Sequence, residues 1–248
     1  MKIKAVIDSV ASEFGEDLVE EVLRDARRSL EQSLERIRRP QAALGVVKSP
    51  LGDLLVAATS RGVVLNHYLR DAVDLAAAIA RLRLHFDLVE DRRAAEEIGD
   101  EVRRYVAGDV AALRHDVDLA LAQGGFHKKV LGKLLTVPRG AVISYQALGA
   151  AVGSPSAARA VGNAMHNNPV PVYVPCHRVI ASSGGIGGYG GGIARKLQLL
   201  RAEGFALSDS AATIPADAVL GHRSTGIYCR PGCRAGISGT SLFRALRA

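Results

Sequence analysis

The stretch VPVYVPCHRVIASSGGIGGYGGG, residues 170–192, constrains this chain more than any other. Its first part is a valine-rich run that reads as extended chain, and its last part is a glycine-rich loop that offers backbone amides. Cys176 stands between Pro175 and His177, the first of three cysteines (Cys176, Cys229 and Cys233) in the sequence. A cysteine in an apolar extended run is ordinarily a small buried hydrophobe. Here a rigid proline precedes it, and an imidazole, the Arg178 guanidinium and the glycine loop follow, a setting in which a reactant can be brought to the sulfur. An isolated thiol with a pKa of about 8.5 is only a few per cent thiolate at neutral pH, and the thiolate is the nucleophile. His177, Arg178 and a nearby helix start would raise that fraction. Adjacent side chains of an extended strand point to opposite faces, so Cys176 and His177 can cooperate only through a turn or a bridging water. A Cys-His protease draws its histidine from a distant segment, so the adjacency argues against ordinary acyl transfer.

The 248 residues suffice for one large or two modest domains. Tryptophan is absent and aromatics make up 4%, so the cores must be built from alanine, valine, leucine and isoleucine. No run of about 18 apolar residues occurs, and the N-terminal residues turn acidic too soon for a signal peptide. The expectation is a soluble, cytoplasmic and nucleoid-associated protein with no membrane partner. Three cysteines make no disulfide framework, in keeping with a reducing compartment.

The net charge of +7 is unevenly spread: residues 124–205 hold nine basic side chains and one acidic one, Glu203. A segment so biased reads either as a footprint for a polyanion or as a solvated basic surface.

The organisation predicted from patterning has four parts. Residues 1–43 are an amphipathic helical extension, with a helix over 13–39 that can pack on the next domain or pair with another copy of itself. Residues 44–120 are an α/β N-terminal domain, a small sheet plus helices. Its strands form a meander with SPLGD and TSRG turns, and helices follow at about 72–84 and 92–107. Residues 121–205 are a mostly helical helix-turn-helix domain, and residues 206–248 a linker and tail.

Within the third part a helix at about 126–136 leads to SYQALGAAVG and PSAARAVGNAMHN, two helices separated by Gly153, with Ser154 expected to cap the second. Alanine and glycine dominate this second helix, and before its last residue, Asn167, its only large polar side chains are Arg159, Asn163 and His166. Small residues such as Ala158 and Gly162 let a backbone approach a groove closely, so DNA would be bound with little sequence preference, through phosphates and the minor groove. Gly185, Gly187 and Gly190 match a G-x-G-x-x-G spacing, but no second strand with an acid follows, so no nucleotide cofactor is expected.

PCHRV, preceded by AARAVGNAMHNNPVP and followed by SSGGIGGYGGGIARKLQLLRAEG, resembles the O6-alkylguanine-DNA alkyltransferases, or methylated-DNA-protein-cysteine methyltransferases. The resemblance runs without gaps over about Gly140–Gly204 and more loosely back to residue 44, with Leu131 where the family often carries tryptophan. It implies single-turnover repair of alkylated guanine, and of O4-alkylthymine, in double-stranded DNA, by a monomer with no cofactor and no metal in this domain. It implies that Cys176 attacks the alkyl carbon, with a water-bridged His177 as base, Glu203 orienting the imidazole and Asn168 bracing the hinge. Tyr145, Val179, Tyr189 and Gly190 would hold the extruded base, whose place in the stack Arg159 fills. Ala158, Gly162, Asn163, Arg178 and Lys196 would contact DNA. Gly190 stands where the family commonly has serine, so only a backbone amide is offered there.

The tail AVLGHRSTGIYCRPGCRA resembles part of the zinc-bearing module of Ada-type proteins. That module needs four cysteines, and Cys229 and Cys233 supply two, so the tail reads as a remnant or as a site completed by His222 or another chain. The alternative functions are a lesion-binding protein that flags damage without repair, and a methylation-triggered Ada-like regulator.

Overall fold

The computed structural model describes residues 15–37, 39–109 and 111–214, together with the backbone of three short tail strands. The chain divides into two compact units, residues 1–40 and 41–248. In the first, helix α1 (Glu16–Ile37) begins with Glu16 and Asp17, acids that suit the positive end of a helix dipole.

The second unit opens with a meander, β1 (Gln41–Ser49), β2 (Gly52–Thr59) and β3 (Gly62–Tyr68). The first strand starts three residues before the expected boundary at 44. Helix α2 (Ala72–Arg83) crosses to β4 (Asp87–Glu90), which pairs parallel to β1, so the sheet order is β3-β2-β1-β4. This fourth strand was not legible in the sequence, because DLVE is too short to show a period. Helix α3 (Arg92–Val106) follows. Asp71 and Asp91 cap α2 and α3, accepting from the amides of Asp74 and Ala94.

Alternation along β2 sends Leu55 and Ala57 into a cluster with Leu82 and Phe86, and Leu54 and Val56 to the opposite face. That second face is continuous with the rest of the unit. Its core runs from Val47, Ile98 and Tyr105 through Leu131 and Ile143 to Val174 and Cys176. Residues on both sides of position 120 therefore share one apolar core.

The remaining elements are α4 (Gly124–Leu134), β5 (Ala141–Ser144), α5 (Tyr145–Ala151), α6 (Ala158–His166), β6 (Val179–Ile180) and α7 (Ile193–Ala202). Helices α5 and α6 are the expected helix-turn-helix. A methyl group on Gly149 would lie 2.9 Å from the Ser154 carbonyl oxygen, so only glycine lets the turn close at this distance. Gly153 takes φ +81°, which suits its role at the end of α5. The expected cap is corrected: α6 begins after Ala157 with no side-chain cap, while Ser154 uses its main chain, its carbonyl accepting from the Ala157 amide. Ser144 instead caps α5 through the Ala147 amide at 3.0 Å.

Residues 206–214, expected as linker, are packed structure. Leu207 and Ile214 are buried with Ile180, Ile186 and Leu200, and the Ile186 and Ile214 amides bond the carbonyls of Ala212 and Gly184. This segment braces the glycine loop from behind. In the tail, β7 (Leu220–His222), β8 (Ile227–Cys229) and β9 (Phe243–Ala245) extend a sheet ordered β6-β5-β8-β7-β9, with Cys229 opposite Ala141 in antiparallel register. Cys233 lies outside the described residues.

Candidate active site

Cys176 is 6% exposed and begins a 3₁₀ turn, Cys176–Arg178, rather than continuing a strand. The turn breaks the alternation expected of extended chain, so the Cys176-His177 relation follows from that turn. It is reached through a loop that holds Val172 at φ 78°, a strained value for a β-branched residue. Two anchors impose it. Asn66, fully buried on β3, donates its amide N–H to the Pro169 carbonyl and its Nδ2 to the Pro171 carbonyl at 2.8 Å, and Tyr173 Oη donates to buried Glu101 at 2.8 Å.

The front of the sulfur opens on a cavity of about 330 Å³ lined by Tyr145, Gly162, Met165, Cys176, Tyr189 and Gly190 among others. Asn168 Nδ2 donates to Cys176 Sγ at 3.1 Å and to the Val174 carbonyl at 2.9 Å, while its Oδ1 accepts from the Val170 amide. Asn168 thus braces the loop and touches the sulfur at once. A methyl group added to Gly162 or Gly188 would meet nothing within 4 Å, so the protein's own packing does not demand glycine at these two places. The space they leave is available to a ligand.

Behind the sulfur the site is charged and closed. His177 is fully buried, and its Nε2 lies 2.7 Å from Glu203 Oε1. That contact puts the proton on Nε2 and leaves the Nδ1 lone pair free; Nδ1 has no hydrogen-bond partner among the described residues. Glu203 also accepts from Arg178 Nε at 2.9 Å, from the Gly140 amide at 2.9 Å and from Tyr105 Oη. Burial works against the Glu203 charge, yet His177 and Arg178 hold its carboxyl well below the usual range. Burial pushes His177 down against the pull of Glu203, which favours the neutral imidazole. Burial also pushes the Cys176 thiol up, while the Asn168 hydrogen bond and the Lys196 charge act the other way.

Two residues expected to contact DNA are corrected by this arrangement. Arg178 is 6% exposed and committed to Glu203, and Lys196 is fully buried with Nζ 2.6 Å from the Val179 carbonyl. Burial brings Lys196 down to about 8. Both side chains are engaged inside the protein rather than offered at its surface. Val179, expected at the base edge, is likewise buried outside the cavity wall, with its carbonyl bonded to Lys196. Tyr145 is half-buried on the wall, its hydroxyl 3.5 Å from where a methyl group on Gly187 would sit. Arg159 and Asn163 are exposed on α6, with Ala158 and Gly162 half-buried beside them, and Lys128, Lys129 and Lys133 are exposed on α4. The exposed basic surface is therefore smaller than the charge count.

Sequence reasoning missed Tyr105 and Tyr68, which the N-terminal part contributes to the two sides of the site. Each lies more than 70 positions from Cys176, and no local pattern marks either.

The sequence model of the family described as 6-O-methylguanine DNA methyltransferase, DNA binding domain, matches residues 125–205. Methylated-DNA--protein-cysteine methyltransferase of Mycobacterium tuberculosis is 39% identical over 157 residues, which cover 63% of this chain and 89% of that protein. The chain belongs to the methylated-DNA--protein-cysteine methyltransferase family. The human family member of the same name is 54% identical over 99 residues, 40% of this chain and 46% of the human protein. Among solved structures, Mycobacterium tuberculosis O6-methylguanine methyltransferase matches with a TM-score of 0.54 and 34% identity, covering 66% of this chain and 93% of that one. A Mycobacterium tuberculosis protein of this family in complex with DNA matches with a TM-score of 0.52 and 33% identity, covering 66% of this chain and 92% of that one. The family match ends at residue 205, so the packed segment 206–214 and the tail strands lie beyond it.

Proposed function

We propose that this methyltransferase repairs double-stranded DNA by moving the alkyl group of O6-alkylguanine, and of O4-alkylthymine, onto Cys176, once per molecule. The observation that carries this reading is the two-sided sulfur: a closed charged network behind it and an open, glycine-walled cavity in front. Bases inside a duplex cannot reach such a cavity, so the target nucleotide is extruded. That costs a few kcal/mol, least where alkylation has already weakened the pair. Helix α6 enters the minor groove with Ala158 and Gly162 close to the backbone and Asn163 beside them. Arg159, which is exposed, fills the vacated stack. Contacts of this kind carry little sequence preference.

In the reaction, the thiol proton passes through a water to His177 Nδ1, with Glu203 stabilising the imidazolium as it forms. The sulfur then attacks the alkyl carbon in line. An S–C bond forms as the C–O6 bond breaks, the electron pair goes to the purine, and the purine takes up one proton. Tyr145 bonds N3 as that charge develops, and the Tyr189 and Gly190 amides hold O6. The product thioether has no leaving group that this site could activate, so the protein is consumed; in this reading it acts as a monomer without cofactor.

In this reading residues 44–120 position the network and residues 121–205 bind DNA and react, a division of labour within one core. The Ada-like tail has no part in the reaction. Intact-mass and peptide mass spectrometry after incubation with O6-methylguanine duplex tests the proposal. One methyl on the peptide containing Cys176, saturating however much substrate is added, is expected. Sustained turnover, or a methyl elsewhere, would refute it.

A further inference from the structure

Tyr68 ends β3, far from the cysteine in sequence, yet its hydroxyl lies 2.9 Å from that of Tyr189. Tyr189 in turn lines the same cavity as Cys176. The two rings meet edge-on, with centroids 6.2 Å apart and planes at 62°. Gly191 is what lets them close: a methyl group there would lie 2.7 Å from the Tyr68 ring and 2.8 Å from the Tyr189 ring. Arg195 clamps the outer side, its guanidinium 4.8 Å from the Tyr68 ring centroid. That guanidinium donates to the Gly191 carbonyl at 2.7 Å and to the Leu51 carbonyl in the β1-β2 turn. Tyr68 is thus held against the reactive loop by contacts from both parts of the unit.

A thiolate only accepts hydrogen bonds, and each phenol has one proton to give. We propose that Tyr68 is a positioning residue for the alkyl acceptor: its hydroxyl donates to the Tyr189 oxygen and so commits the Tyr189 proton to the Cys176 sulfur. This is the one orientation that uses both protons when the sulfur is ionised, and bonds in such a chain strengthen one another. It rests on Cys176 being the acceptor. The other groups around the sulfur are Asn168 of the loop, Lys196 on α7, Tyr145 on α5, and His177 with Glu203 and Arg178 behind it. Tyr68 acts through Tyr189.

The test compares wild type, Y68F, Y189F and the double variant. Cys176 alkylation by iodoacetamide is followed against pH on the Cys176 peptide, alongside methyl transfer from O6-methylguanine duplex. Y68F keeps the ring and removes one oxygen. It is expected to move the iodoacetamide midpoint up by about half to one pH unit, and to slow methyl transfer at neutral pH about 3- to 10-fold. That loss should vanish above the shifted midpoint. Y189F is expected to move the midpoint at least as far, and the double variant no further than Y189F alone. An unmoved midpoint in Y68F, or a Y68F shift that persists undiminished on the Y189F background, overturns the proposal. If Y68F folds poorly, Y189F decides alone: a midpoint that stays put when the proton nearest the sulfur is removed overturns it too. Iodoacetamide reads the thiolate whatever its biological role, so the two readings fail separately. Unmoved midpoints with a methyl still found on Cys176 remove only the relay, and no methyl on wild-type Cys176 removes the acceptor assignment.

Discussion

The two sides of Cys176 are built on opposite rules. Behind it, His177, Glu203, Arg178 and Tyr105 form a buried polar cluster in which the carboxylate is multiply hydrogen-bonded. In front, glycines leave unfilled space that the protein's own packing does not require. The rear must be complete before any ligand arrives, since a buried charge without its partner is costly. The front must be incomplete, because a base has to fill it. A cysteine at the end of a valine-rich run is therefore served by charge from one side and reached from the other.

The sharpest break in this comparison is at the sulfur itself. Cys176→Ala is expected to abolish methyl transfer while leaving affinity for duplex DNA within about twofold, because the exposed cations of α4 and α6 are untouched. A filter-binding titration beside the transfer assay checks both halves, and residual transfer in this variant would move the acceptor elsewhere.

Glu203→Gln breaks the rear alone. Arg178 then keeps a buried charge without its counter-ion, for which roughly 3 kcal/mol or more of stability is at stake. Transfer should slow on the free base O6-benzylguanine as much as on DNA. The pH dependence follows from the same cluster. Folding holds the Glu203 carboxyl below its unfolded value, so its contribution is present above that value, about 4.3, and is lost as pH falls toward the folded one. Burial holds His177 below its unfolded value, so the folded protein binds fewer protons there, and stability drains as pH falls below about 6.5. Chemical denaturation at several pH values should show wild type losing stability from near neutral downward. Glu203→Gln should lack the lower, carboxylate part of that loss.

Arg159→Ala tests the front. The side chain is exposed, so stability should change by less than about 0.5 kcal/mol. Repair in duplex DNA should fall about 10- to 100-fold, and reaction with O6-benzylguanine, which needs no extrusion, should be nearly unchanged. Equal losses on both substrates would separate this arginine from base extrusion.

The smallest effect is expected from the tail. A chain ending after Ile214 should repair O6-methylguanine as fast as the full chain. One ending at Ser208 should be slower and less stable, because it strips Ile214 and the Ala212 carbonyl from behind the glycine loop. Equal rates for the two truncations would show that segment 209–214 does not brace the site.

Much of this was legible without coordinates. The periodic helices fell where expected, α2 at Ala72–Arg83 and α3 at Arg92–Val106, because their apolar spacing and aspartate caps are local signals. Segment 206–214 was misread for a complementary reason. Its small and polar residues look like linker, and only Leu207 and Ile214, seven positions apart, reveal that it is packed.

The sequence by itself determined the reactive group, the family and the helix-turn-helix. A cysteine beside histidine, a glycine loop and two helices joined by a glycine turn are each written within a few consecutive residues. It also marked Glu203 as the lone acid of a basic segment. The tertiary structure alone decided where charge goes. It buried Arg178 and Lys196, which the sequence reading placed at DNA, and it brought Tyr105 and Tyr68 from the N-terminal elements to the two sides of one sulfur. Burial and long-range pairing depend on which surfaces the whole chain brings together, and no window of sequence holds both partners.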